Sequence, residues 1–138
     1  MRILLALLCC SVVGCGSGSP YDYTKVSGKI TYEDGSPIPG GRLRLRFVAL
    51  DAPQVENAHP RPAFANPNID GEFDSVTSYK YGDGLIPGKH KVAIEVGGAP
   101  SSVSPVPKEY LSSSTTPITV DTNKSPFDIK VPRPKGKP

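Results

Sequence analysis

Three groups of side chains in this 138-residue sequence have types and spacings that could do chemistry. The first is the thiols. Cys9, Cys10 and Cys15 fall in, or at the end of, one apolar run, and Gly14 stands directly before Cys15. A thiol can take a thioether, and a small residue beside it leaves room for an enzyme to approach. Cys10 is the poorer candidate, because another cysteine precedes it. The second group is Asn66-Pro67-Asn68-Ile69-Asp70-Gly71. Oxygen-bearing residues at positions one, three and five, with glycine at six, open a calcium loop. The twelfth position should be a bidentate glutamate, but it is Thr77. A β-turn with Gly71 in the left-handed conformation therefore competes with a weak Ca²⁺ site on Asn66, Asn68 and Asp70. The third group is Arg42, Arg44 and Arg46, which alternate with Leu43, Leu45 and Phe47.

Other chemistry is sparse. His59 and His90 are the only histidines, with no His-x-x-x-His or Glu-x-x-His pattern to hold zinc and no Gly-x-Ser-x-Gly elbow for a serine nucleophile. The expectation is a protein that is not an enzyme and needs no cofactor. His90 is expected at the edge of the core, with one ring nitrogen reaching a polar partner.

The N-terminus reads as an export signal. Met1-Arg2 is a short positive region, and Ile3 to Val13 is an apolar run of eleven residues. At 1.5 Å per residue such a run cannot cross a hydrocarbon core of ~30 Å as a helix. Val12-Val13-Gly14-Cys15 resembles the lipobox of bacterial lipoproteins. The resemblance implies a diacylglyceryl group on the Cys15 thiol and signal cleavage between Gly14 and Cys15. The chain's partner would then be a membrane, reached through the lipid. Gly16 rather than Asp follows Cys15, which implies an outer membrane, facing the periplasm or the cell surface. Ordinary secretion and an uncleaved signal anchor are the competing readings. Once Cys9 and Cys10 leave with residues 1–14 and Cys15 is acylated, no thiol remains for a disulfide, a metal or a nucleophile. The folded body must then rely on its hydrophobic core.

Residues 15–24, with Gly16-Ser17-Gly18-Ser19-Pro20, read as a flexible tether, and 133–138 as a polar tail. Residues 25–132 remain as one domain, a size that folds alone. Loss of Arg2 leaves 15 basic against 13 acidic residues. That balance is too mild to imply nucleic acid. Tryptophan is absent, and sixteen prolines spread along the chain argue against long helices and allow short strands between turns.

The elements that must position the candidate residues follow from period-two alternation. Strands are expected over Val26–Tyr32, Arg42–Phe47, Pro62–Ala65, Glu72–Val76, His90–Val96, Ile118–Val120 and Phe127–Val131. The second puts Leu43, Leu45 and Phe47 inward and Arg42, Arg44 and Arg46 outward, as a basic stripe. That stripe is either a solvated face paired with neighbouring acids or a dock for an anionic surface. Lys108–Leu111 is at most one helical turn. Tyr79, Tyr81 and Tyr110, if they cluster, would make a platform for carbohydrate or peptide. About seven short strands point to an all-β, antiparallel Greek-key β-sandwich.

Four segments resemble the carboxypeptidase regulatory-like domain, a small transthyretin-like β-sandwich. They are Val26-Ser27-Gly28-Lys29-Ile30, Asp34 through Gly41, Asp70-Gly71-Glu72-Phe73 and Leu85 through Ile94. Pro107 to Tyr110 and Phe127 to Ile129 resemble its later part. The wording is nearest to small lipidated bacterial proteins that carry this one domain. His90 stands where that family usually has tyrosine. The resemblance implies a non-catalytic structural or protein-binding module at the cell envelope, in contact with an envelope protein. The alternative is a carbohydrate or other small-ligand module in contact with polysaccharide, and an unrecognised hydrolase is a more distant reading.

Overall fold

Alternating apolar residues need two surfaces to bury against, and the chain supplies them as two sheets. The computed structural model describes residues 18–98 and 103–136. The expected signal peptide 1–14, with Gly14, and the expected lipidation site Cys15 therefore lie outside the described residues.

In chain order the strands are β1 (Gly28–Tyr32), β2 (Arg42–Ala49), β3 (Ala63–Ala65), β4 (Glu72–Phe73), β5 (Lys89–Gly97), β6 (Thr119–Asp121) and β7 (Phe127–Val131). Lys108–Leu111 and Thr122–Lys124 form short 3-10 turns. One sheet has the order β4-β1-β7 and the other β3-β2-β5-β6. The protein is thus an all-β sandwich in which both sheets contribute to one core.

The longest ladder joins β2 and β5, antiparallel from Arg42 opposite Gly97 to Ala49 opposite His90. It buries Leu45, Phe47, Val92 and Ile94 completely. The other sheet answers with Ile30 and Tyr32 of β1 and Ile129 and Val131 of β7. Phe47 lies between two rings, 6.2 Å from Phe73 and 6.4 Å from Phe127. Such tilted pairs add to the burial of their area. Gly28 lies under the same rings. A Cβ there would come within 2.7 Å of the Phe73 ring and 2.8 Å of the Phe127 carbonyl, so only glycine lets β1 pass.

Two expectations about the strands need correcting. The sandwich is not wholly antiparallel, because β1 and β7 run parallel from Gly28 opposite Phe127 to Tyr32 opposite Val131. The chain reaches β7 by crossing from β6 in the other sheet rather than through a hairpin, so no tight turn forces a reversal. The fourth strand stops at Phe73 instead of Val76, and Thr77 turns away to exchange two backbone hydrogen bonds of 2.9 Å with Phe64.

The domain also extends past both ends expected for it. Tyr21 is buried, and its hydroxyl donates to the Ala58 carbonyl at 3.1 Å. Thr24 exchanges backbone hydrogen bonds of 2.8 and 3.0 Å with Leu85. The later part of the expected tether, from Tyr21, is therefore body. At the other end, Arg133 stacks 4.2 Å above the Tyr32 ring and its Nη2 lies 2.9 Å from Asp34 Oδ2.

Candidate functional site

The outward side chains of β2 and β3 meet over one cleft. β3 alternates Ala63-Phe64-Ala65, with both alanines buried, so Phe64 is turned to the outer face. The ladder sets Phe64 beside Arg46. The Arg44 guanidinium lies 3.8 Å above the Phe64 ring and that of Arg46 lies 6.0 Å away. On the other flank, β5 places Glu95 opposite Arg44. Glu95 Oε2 accepts Arg44 Nε at 2.9 Å, and Oε1 lies 3.8 Å from Arg46 Nη1. One carboxylate is therefore shared by two guanidiniums. Arg42 stands apart, opposite Gly97 at the end of the ladder.

The far wall is the loop 77–84, which the Asp83 carboxylate organises. Its oxygens accept the backbone N–H groups of Ser78 at 2.8 Å, Tyr79 at 2.9 Å and Lys80 at 2.8 Å. The Ser78 hydroxyl donates to the Gly84 carbonyl at 2.6 Å, which holds the loop's return to the sheet. This frame carries Tyr79, whose ring lies 5.4 Å from the Arg61 guanidinium, and Tyr81, which is 91% exposed. The resulting open cleft has a volume of about 540 Å³ and is lined by Arg44, Arg61, Phe64, Asn66, Ser78 and Tyr81 among others. A guanidinium 3.8 Å above a ring, beside amide and hydroxyl groups, suits an anionic ligand with an apolar face.

The expected tyrosine platform is only half assembled. Tyr81 lines this cleft and Tyr79 meets its Arg61, whereas Tyr110 lines a different groove with Pro117 and Ile118 and packs against the core. Burial raises the Tyr110 phenol above its ordinary value, with Glu109 and Glu33 adding to it. Phe64 and Arg61 are the members that sequence reasoning missed. The Ala-Phe-Ala alternation carried the signal for Phe64, since two small residues on the inner face leave the aromatic one outside.

The Asn66–Gly71 segment is a turn. Asn68 Oδ1 accepts the backbone N–H groups of Asp70 at 3.0 Å and Glu72 at 2.9 Å. Gly71 takes a φ of 83°. The Asn68 oxygen that a calcium ion would need is thus held by the backbone, and Asn66 lines the cleft instead. Among the described residues, no three of His, Cys, Asp and Glu are grouped to hold a metal.

His90 is 3% exposed, between Ala49 and Val120 in the ladders. Its Nδ1 lies 3.4 Å from the Gly88 carbonyl. Burial lowers its pKa and outweighs the upward pull of that carbonyl. His59 is exposed on the loop after β2, so the two imidazoles occupy unlike environments. Asp34 is held well below the usual carboxylate range, first by the Ser36 hydroxyl, then by the Ser36 N–H and by Arg133. It serves the turn after β1. No helix among the described residues is long and apolar enough to cross a membrane.

No protein-family model, curated protein or solved structure matches this chain.

Proposed function

We propose that this chain is an exported lipoprotein that displays a non-catalytic β-sandwich for structural or protein-binding work at the cell envelope. A signal peptide over 1–14 is removed, and a lipid on Cys15 holds the chain on the outer membrane, facing the periplasm or the cell surface. The observation that carries this reading is the seat of Tyr21 in the sandwich. Cys15 stands only six residues before Tyr21, so the anchor is joined to a packed body through a very short segment.

The domain is read as a carboxypeptidase regulatory-like, transthyretin-like module with Greek-key connections. The four segments that carry the resemblance fall on β1, the turn after it, β4 and β5. The chain passes between sheets at β1–β2, β3–β4, β4–β5 and β6–β7, which supports the Greek-key reading. A non-catalytic role is supported by the side chains themselves. Asp34, Asn68 and Asp83 are committed to turns, and His90 is packed between strands.

Mass spectrometry of the N-terminal peptide of the mature protein tests the reading. The expected species begins at Cys15 and carries a diacylglyceryl mass. An N-terminus at residue 1, or cleavage elsewhere, overturns it.

The cleft favours a second reading, a binding module for acidic polysaccharide. Its test is titration with oligogalacturonate as the probe. Binding that weakens with salt and is lost in Arg44→Glu/Arg61→Glu is the expected result. Binding unchanged in that variant removes the cleft from the function.

A further inference from the structure

The edge of β7 carries a pattern that none of the functions above uses. Among the described residues, β7 pairs with β1 alone and is the longest strand at a sheet edge. Phe127 donates its N–H to Ser27, and Val131 accepts from the Glu33 N–H. Residues 127, 129 and 131 therefore turn their backbone groups towards β1. By the alternation of a strand, Asp128 and Lys130 turn theirs outward, away from the sheet. Pro126 and Pro132 flank this edge and offer no N–H. The outer edge thus presents two N–H and two C=O groups, with no partner among the described residues. An open groove of about 300 Å³ runs beside it, with Ile118 and Val120 on the far side.

The side chains on this edge are self-complementary. Asp128 and Lys130 lie on the outer face, their side chains 72% and 42% exposed. The ladders set Glu72, Lys29 and Asp128 in one row of alternating charge. Lys29 Nζ lies 3.6 Å from Glu72 Oε1, and Asp128 ends the row at the sheet edge, where Lys130 Nζ lies 3.4 Å from its Oδ1 and donates to Thr31 Oγ1 at 2.9 Å.

We infer that the outer edge of β7 pairs with the same edge of a second copy of this chain, antiparallel and centred on Ile129. In that register Asp128 faces Lys130 of the second copy, and Lys130 faces its Asp128. Both residues point their backbone groups outward, so both are hydrogen-bonded pairs and four backbone bonds form. Each row of charge continues across the two-fold axis as acid, base, acid, base. Registers that place Asp128 opposite Asp128, or Lys130 opposite Lys130, oppose like charges. The flanking prolines stop the ladder after these two pairs. The interface is isologous, so it closes at a dimer. The inference is independent of the lipid on Cys15.

The test is sedimentation equilibrium of the full chain in density-matched detergent, with carbodiimide crosslinking of mixed light and ¹⁵N-labelled protein. Wild type is expected to dimerise and to yield mixed-isotope crosslinks between Asp128 and Lys130. The mixed label separates these from crosslinks of the pair within one copy, where Lys130 Nζ lies 3.4 Å from Asp128 Oδ1. Asp128→Lys alone and Lys130→Asp alone should each weaken self-association about tenfold or more, since both facing pairs become repulsive. An equimolar mixture of those two variants should recover pairing between unlike copies, a result that a change within one copy cannot produce. Lys130→Pro deletes an outward N–H and leaves the β1 ladder intact, so it should abolish the dimer while the circular dichroism spectrum is retained. If that variant does not fold, the charge-swap mixture decides. A wild-type chain that stays monomeric without mixed-isotope crosslinks overturns the inference. So does a dimer that survives both single swaps and Lys130→Pro.

Discussion

The buried imidazole of His90 makes the stability of this domain depend on pH in a defined window. In the unfolded chain the group titrates near its ordinary value of 6.5, and in the folded domain burial puts it lower. Above pH 6.5 it is neutral in both states and packs between Ala49 and Val120 without cost. As the pH falls below that value, the unfolded chain takes up the proton first. Folding must then release it, and stability declines until the folded-state imidazole itself titrates. Within that window each pH unit costs up to about 1.4 kcal/mol. For a domain of this size that is about 3–6 °C in melting temperature per unit. The assay is thermal unfolding by circular dichroism between pH 4.5 and 7.5, on wild type and on His90→Leu, which keeps the volume and removes the proton. The Asp34 carboxylate, whose pKa is depressed, contributes fully above the usual carboxylate range and loses its contribution only in stronger acid, so it stays constant across this interval. Wild type should lose stability towards pH 4.5 faster than the variant. Parallel pH profiles for the two proteins would refute the argument.

Three further outcomes follow from packing and charge. Phe47→Ala removes the ring between Phe73 and Phe127 and should destabilise the domain by about 3–5 kcal/mol in urea unfolding. Tyr21→Phe deletes the hydrogen bond to Ala58 and should cost about 1 kcal/mol, with faster protease cleavage before Thr24. A double-mutant cycle on Arg44→Met and Glu95→Gln should return a coupling below about 1 kcal/mol that shrinks further in high salt, because both side chains are partly exposed at 49% and 36%.

The strands with clean alternation were the legible part of this sequence. Arg42 to Phe47 and His90 to Val96 read directly as β2 and β5, because Leu45, Phe47, His90, Val92 and Ile94 face one buried layer, with only Val96 at the strand end exposed. Phe127 to Val131 read directly as β7 for the same reason. The direction of β7 was not legible, since alternation fixes which face is buried and says nothing of which neighbour is met or how it runs. The seats of Tyr21 and Arg133 were hidden for a different reason. Both lie in Gly-, Ser- or Pro-rich stretches whose local composition favours no regular structure. They are held instead by partners far along the chain, Ala58 in one case and Tyr32, Asp34 and Ser36 in the other. The stripe of arginines was visible, whereas its sharing of Glu95 depends on the β2–β5 register. Tyr110 was grouped with Tyr79 and Tyr81 by residue type alone, and the fold sends it to another groove.

The docking of Tyr21 also sets an upper limit on the distance between Cys15 and the body. Six residues, even fully extended, span at most about 20 Å. If Cys15 carries a lipid, the end of the sandwich that holds Tyr21 and Ala58 must stay that close to the bilayer. The opposite end, where Arg42 faces Gly97 and Tyr32 reaches the Pro105 carbonyl at 2.7 Å, then stands furthest from it. An antiparallel β7 pair reverses this polarity in the second copy. With lipid on Cys15 of both copies, a β7-paired dimer would carry its anchors at opposite ends of one continuous sheet, an arrangement suited to two facing membranes rather than to neighbours on one.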